Sequence, residues 1–140
     1  MIDVIEAQSG GSLHVSPDPL TIENAPATQL DGAFTVSFTQ NNSRKLRDAP
    51  NKLSRMVLLA TVRVARRVWG QDPTTTQDQL DDDTDLIYRA VCSSVADLRD
   101  PLNVTAISPE RDLDVPHTNK EWLFRDVVLW IEYQFSLAVP

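Results

Sequence analysis

Cys92 is the only cysteine in this chain, so no disulfide can form within it. A nucleophilic thiol would need an imidazole partner, and neither histidine, His14 nor His117, stands in a motif that supplies one. Cys92 falls on an apolar helix stripe and reads as a small buried hydrophobe. Glycine is scarce, four residues in 140, and none belongs to a phosphate-cradling loop. The patterns GxSxG, HExxH and CxxC are all missing. No apolar run reaches the length of a membrane span. The opening residues, MIDVIEAQSGGS, have neither the basic stretch nor the apolar core of a secretory signal, which points to synthesis in a cytoplasm. In that setting the glycosylation patterns at Asn41-Asn42-Ser43 and Asn103-Val104-Thr105 are chance matches. Bases are outnumbered, 13 to 20, for a net charge of −7. That balance argues against a dedicated nucleic-acid-binding domain and favours solubility.

What is present is alternation. Phe124–Leu137 (FRDVVLWIEYQFSL) places Val127, Leu129, Ile131, Tyr133, Phe135 and Leu137 on one face and Val128, Trp130, Glu132, Gln134 and Ser136 on the other. Side chains alternate with period two along a strand, so the first set is a face to be buried. The strand is about 14 residues long, against a usual length of about 5–6. Ala33–Gln40 (AFTVSFTQ) alternates as cleanly, Phe34, Val36 and Phe38 against Thr35, Ser37 and Thr39. In Leu53–Trp69 the residues Met56, Leu58, Ala60, Val62, Val64 and Val68 share a face that only Arg66 interrupts. A helical reading of the same stretch mixes arginine with valine, so the period-two fit decides for a strand.

Between these strands, Thr76 and Gln79 fit a capping box, and Asp78, Asp81, Asp82, Asp83 and Asp85 crowd the helix start that follows. Leu80, Ile87, Val91, Val95 and Leu98 form an apolar stripe, and Asp100-Pro101 stops the helix, which is expected over residues 77–98. The aspartates do not make a calcium loop: counted from Asp81, the sixth position is Leu86 where glycine is needed and the twelfth is Cys92 where glutamate is needed. They read as a solvated helix start. Val104–Ser108 suits a short strand, and Pro109–Glu121 a long polar loop that includes His117 as a surface residue. Residues 1–32 carry Pro17, Pro19 and Pro26 and are expected to form an extended arm, with a short strand at Leu13–Val15 and with Leu20 and Ile22 as tethers.

The fold expected is α+β. A small mixed or antiparallel four-stranded sheet in the order β-β-α-β-β is packed by one main helix, with the arm over 1–32 and a single domain over 33–140. The loop 41–52 presents Arg44, Lys45, Arg47 and Lys52 without an aromatic platform, which favours a surface loop or protein contact over nucleic acid. Trp69, Trp122 and Trp130 are the candidate anchors for core or subunit packing. No catalytic residue, cofactor or metal ligand is expected.

The order of Ala33–Gln40, Leu53–Trp69, the helix around Asp81–Val95, Val104–Ser108 and Phe124–Leu137 resembles the small tail terminator and tail-completion proteins of long-tailed bacteriophages. The Pro109–Asp112 stretch before a final strand containing Trp130–Phe135 (WIEYQF) adds to the likeness, which spans residues 33–137. Family members usually open with a helix, and the proline-rich arm departs from that. The resemblance implies a non-enzymatic virion protein of the tail neck, made in the host cytoplasm. It implies a homo-oligomeric ring, usually of six copies, that caps the tail tube and offers a face to the head–tail connector. DNA would pass its lumen without specific binding, and the acidic chain suits that role. A connector or stopper of the same neck is the nearest alternative. A small enzyme or ligand-binding domain built on the 109–121 loop and the aspartates, or an adaptor that binds through its arm, are the readings from other classes.

Overall fold

In the computed structural model, which describes residues 1–16, 30–40, 53–68, 72–93, 104–116 and 121–136, two very long strands form the centre of the fold. Leu53–Arg67 (β3) and Trp122–Ser136 (β5) pair antiparallel along their whole length, from Leu53 opposite Ser136 to Arg67 opposite Trp122. Ala33–Gln40 (β2) lies antiparallel on the other side of β3, and His14–Val15 (β1) adds parallel to β2 at Ala33 and Phe34. Val104–Val115 (β4) flanks β5, again antiparallel. The sheet is open, has five strands and runs β1-β2-β3-β5-β4.

Alternation decides which residues face the core. Ala60, Val62 and Val64 of β3 meet Val127, Leu129 and Ile131 of β5 and Phe34 of β2 on one face. The helix Pro73–Cys92 (α2) lays Leu80, Ile87 and Val91 across them. A second helix, Ile2–Ser9 (α1), adds Ile5, which is fully buried, as is Leu13 just after it. Removing each of these large side chains from water contributes roughly 1.5–3 kcal/mol, so this layer is the main source of stability. On the opposite face a smaller cluster, Leu30, Ala33, Ala65, Trp122 and Phe124, covers one end of the sheet.

Among the described elements, the expected four-stranded sheet with one helix is a five-stranded sheet with α1 and α2. Residues 1–16 are not an extended arm. Met-Ile-Asp-Val-Ile spaces Ile2 and Ile5 three apart, a helical repeat that the prolines further on obscured. The helix ends at Gly10, whose φ of 61° is the left-handed cap geometry that glycine adopts most easily. Pro17, Pro19, Pro26, Leu20 and Ile22 lie outside the described residues.

Helix α2 starts four residues earlier than expected. Asp72 is its cap, accepting from the Thr74 amide at 3.1 Å, with Pro73 at the first helical position. An aspartate-proline pair is a start signal, since proline has no amide to leave unpaired there. Its side chain also accepts from the Thr75 hydroxyl at 2.9 Å, and these two bonds hold its carboxyl below the usual range. Thr76, read as the cap, is buried and donates its hydroxyl to the Arg67 carbonyl at 3.2 Å. Asp78 to Asp85 therefore sit beyond the first turn, where the helix dipole does not account for them. The stretch 94–98 of the expected helix lies outside the described residues. Strand β4 does not stop at Ser108. It continues through Pro109 to Val115, with irregularities at Val104/Ala106 and Pro109/Arg111. Proline is tolerated because β4 is an edge, and the bulges let a charged segment stay paired to the long β5.

Candidate functional site

Charges enter the fold on both faces of the sheet. Under the first half of α2, Arg66 on β3 is buried and grips Asp83 with both ends of its guanidinium, Nε to Oδ2 at 2.7 Å and Nη2 to Oδ1 at 2.8 Å. Burial alone would lower the Arg66 pKa, but the Asp83 hydrogen bonds and charge, with Asp31 nearby, leave it raised. Arg125 on β5 is equally buried and serves four partners. It donates to Asp114 at 3.0 Å, to Gln77 at 2.8 Å, to Thr84 at 3.5 Å and to Asp81. Asp83 and Thr84 stand on the buried stripe of α2, and Asp81 reaches in from its exposed side. The aspartates that looked like a solvated helix start are in part the counter-charges of two sheet arginines. No buried side-chain nitrogen or oxygen among the described residues lacks a hydrogen-bond partner, so this cluster is satisfied within the fold and holds α2 to the sheet.

Further along α2, Tyr88 lies near Asp112 and Glu110 of β4. Its phenol is pushed up to about 12, by burial first and then by Asp112, Cys92 and Glu110, because the phenolate would add charge in a partly dry, acidic place. A group with a raised folded pKa stabilises fully below its unfolded value, here near 10, and loses that contribution as pH climbs through its folded value. Stability should therefore fall between about pH 10 and 12. Absorbance at 295 nm should show one of the two tyrosines titrating late, and Tyr88→Phe should remove that step. A late step that survives in the variant contradicts the assignment.

The opposite face lies away from α1 and α2, and Leu30 packs on one end of it. Trp130 occupies its middle, half-buried, with Leu59 across on β3 and Ser108 across on β4. Its indole N–H donates to Glu132 Oε1 at 3.1 Å, two residues along on the same face. In the other direction along the strand, beyond Val128, Arg63 and Asp126 face each other directly and join through two bonds, Nε to Oδ1 at 2.7 Å and Nη2 to Oδ2 at 3.0 Å. The Asp126 hydrogen bond raises the Arg63 pKa against its partial burial. Leu113 on β4 is 42% exposed beside them. An aromatic centre, aliphatic neighbours and a pre-formed bidentate pair are the ingredients of a protein contact surface.

A scan against family models and a search of curated proteins find no match to this chain.

On the helix side a groove of about 340 Å³ opens between Met1, Phe38, Leu58, Val104, Ile107, Ile131 and Tyr133. Its lining is apolar, and Phe38 on its rim is 55% exposed. Of the sequence-derived contact residues, Trp122 is buried in the smaller core cluster and serves packing, whereas Trp130 is half-buried on the face away from α2. Arg44, Lys45, Arg47, Lys52, Trp69 and His117 lie outside the described residues. Cys92 is half-buried beside the main core, and burial pushes its thiol up, which weakens it as a nucleophile. Among the described residues no group of His, Cys, Asp and Glu is arranged to hold a metal ion.

Sequence reasoning missed Arg125 and the counter-charge role of Asp81, Asp83 and Asp114. The signal was there: Arg125 shares parity with Val127, Leu129 and Ile131, and Asp83 falls on the helical stripe of Leu80 and Ile87.

Proposed function

We propose that this chain is a structural subunit, a neck protein of a long-tailed phage that assembles as a homo-oligomeric ring on the tail tube and joins it to the head–tail connector. The observation that carries the reading is the Trp130 face. It is an aromatic-centred sheet surface on the side away from α1 and α2, with a bidentate Arg63–Asp126 pair. Interface energy concentrates in such half-buried tryptophans and arginines. The helix α1 ahead of the first strand adds support, since the sequence likeness departed from the family at that point. In this reading the ring is usually six copies, DNA passes through without specific binding, and Trp130 is a subunit contact.

The test is assembly. The purified protein should form rings when mixed with tail tube protein, seen by electron microscopy and light scattering. Trp130→Ala should weaken that association by about 30-fold or more, the scale of a hot-spot truncation of about 2 kcal/mol, while leaving the thermal transition nearly in place. A protein that stays monomeric with the tube present, or a W130A chain that assembles normally, overturns the proposal. Binding to a head–tail connector but not to the tube would favour the connector or stopper reading instead.

A further inference from the structure

The two edges of the sheet are built differently. Strand β4 carries Pro109, two irregularities and the charges Glu110, Arg111, Asp112 and Asp114, the features by which natural sheets prevent edge pairing. Strand β2, Ala33–Gln40, has no charge, no proline and an unbroken register with β3. Strand β1 covers only its first two residues, Ala33 and Phe34. Among the described residues, nothing pairs with the rest of that edge.

The direction of its backbone groups follows from one bond. The Ser16 amide donates to the Phe34 carbonyl at 2.8 Å, so Phe34 directs its polar groups away from β3. Groups alternate along a strand, so Val36, Phe38 and Gln40 also direct N–H and C=O outward, while Ser37 and Thr39 bond to β3. The side chains of Phe34, Val36 and Phe38 lie on the helix face, where exposed Phe38 rims the apolar groove.

We propose that β2 is a self-pairing edge and that two copies of this chain join in solution by antiparallel β2–β2 addition about a two-fold axis at Phe38. Phe38 faces Phe38 of the second copy as a hydrogen-bonded pair, and Val36 faces Gln40 in both directions. This register ends before β1 and needs no displacement of it. Charge selects the occupant. A second β2 brings two aromatic rings together over the groove and places no charge beside it. The edge of β4 would instead bring Asp112 and Asp114, which share the helix face, against Phe38 and the groove. An isologous contact uses one patch twice, and β2 is the described strand whose free edge is complementary to itself. The pair is a state of the free chain and does not rest on the ring reading, which concerns the chain with tail tube present.

Sedimentation velocity and amide hydrogen exchange on the wild-type chain alone test this. A monomer–dimer equilibrium is expected. The Phe38 amide should exchange rapidly when dilute and become protected when concentrated, whereas Ser37 and Thr39 remain protected throughout. Phe38→Lys and Phe38→Pro should lose the dimer with the thermal transition retained, because the Phe38 amide makes no bond to β3. Glu110→Lys on the other edge should leave it unchanged. A chain that never dimerises overturns the proposal, as does a Phe38 amide protected at every dilution, which would mean the chain covers its own edge. A dimer that survives both Phe38 substitutions, or is lost in W130A instead, overturns it too.

Discussion

Asp83→Ala is expected to lower the unfolding free energy by about 3–5 kcal/mol, the usual cost of leaving one member of a buried ion pair without its partner. Arg66 remains after the substitution, its side chain 6% exposed, under a helix that no longer offers an acceptor. Asp31 lies near enough to act on Arg66 through its charge, and this residual attraction places the expectation toward the lower end of that range. Total stabilities of small domains are about 5–15 kcal/mol, so the variant should be visibly less stable in chemical denaturation. The decisive comparison is Arg66→Met combined with Asp83→Leu. Removing both charges and filling the space with apolar atoms should return most of the loss, because the pair spends much of its attraction on desolvation. If the double variant is as unstable as Asp83→Ala, the pair contributes net stability and the expectation fails. The Arg63–Asp126 pair provides the control. Arg63 is 40% exposed, so Asp126→Ala should cost only about 0.2–1 kcal/mol by the charge alone.

The long central strands were legible because both obey a strict period of two. In β3 only Arg66 interrupts the inward face, and the inward face of β5 runs uninterrupted from Val127 to Ile131. The bounds of β2 were legible for the same reason. The exception at Arg66 carried more information than the rule. A base on an inward strand face requires an acid on whatever covers it, and Asp83 was already on the covering helix at the spacing of Leu80 and Ile87. By their number the aspartates form one group, and only the separate helical positions distinguish Asp83, turned inward, from Asp82 and Asp85, turned to solvent. The β4 extension was obscured because proline and four charges within six residues resemble a loop. An edge strand with bulges has that same composition, and its partner strand is what distinguishes the two. Strand β1 was readable as a short strand at Leu13–Val15, but its docking on β2 depends on the close approach of the Ser12 main chain to one glycine.

That glycine yields the second large expected effect. Gly32→Ala should destabilise the fold by roughly 2 kcal/mol or more, since a left-handed conformation alone costs an alanine about 1–2 kcal/mol. Gly32 has φ of 80°, and a Cβ there would lie 2.5 Å from the Ser12 carbonyl oxygen and 3.0 Å from Arg66 Nη1. The Ser12 oxygen is main chain and cannot rotate aside, so the segment Ser12–Val15 must shift. That shift breaks the bond from the His14 amide to the Gly32 carbonyl, 3.0 Å, and disturbs Leu13, which is fully buried. Gly10 and Gly11 separate the two contributions, because each has positive φ but nothing within 4 Å of a new Cβ. Alanine at either should cost only the conformational part, about 1–2 kcal/mol. Urea denaturation ranks the three variants, and equal losses at Gly32 and Gly10 would refute the steric account. The contact with Arg66 adds a sharper consequence. Gly32→Ala crowds the guanidinium that Asp83 holds, so its cost and that of Asp83→Ala should not add. The double variant should lose less than the sum, because an arginine already released from Asp83 can turn away from the new methyl group.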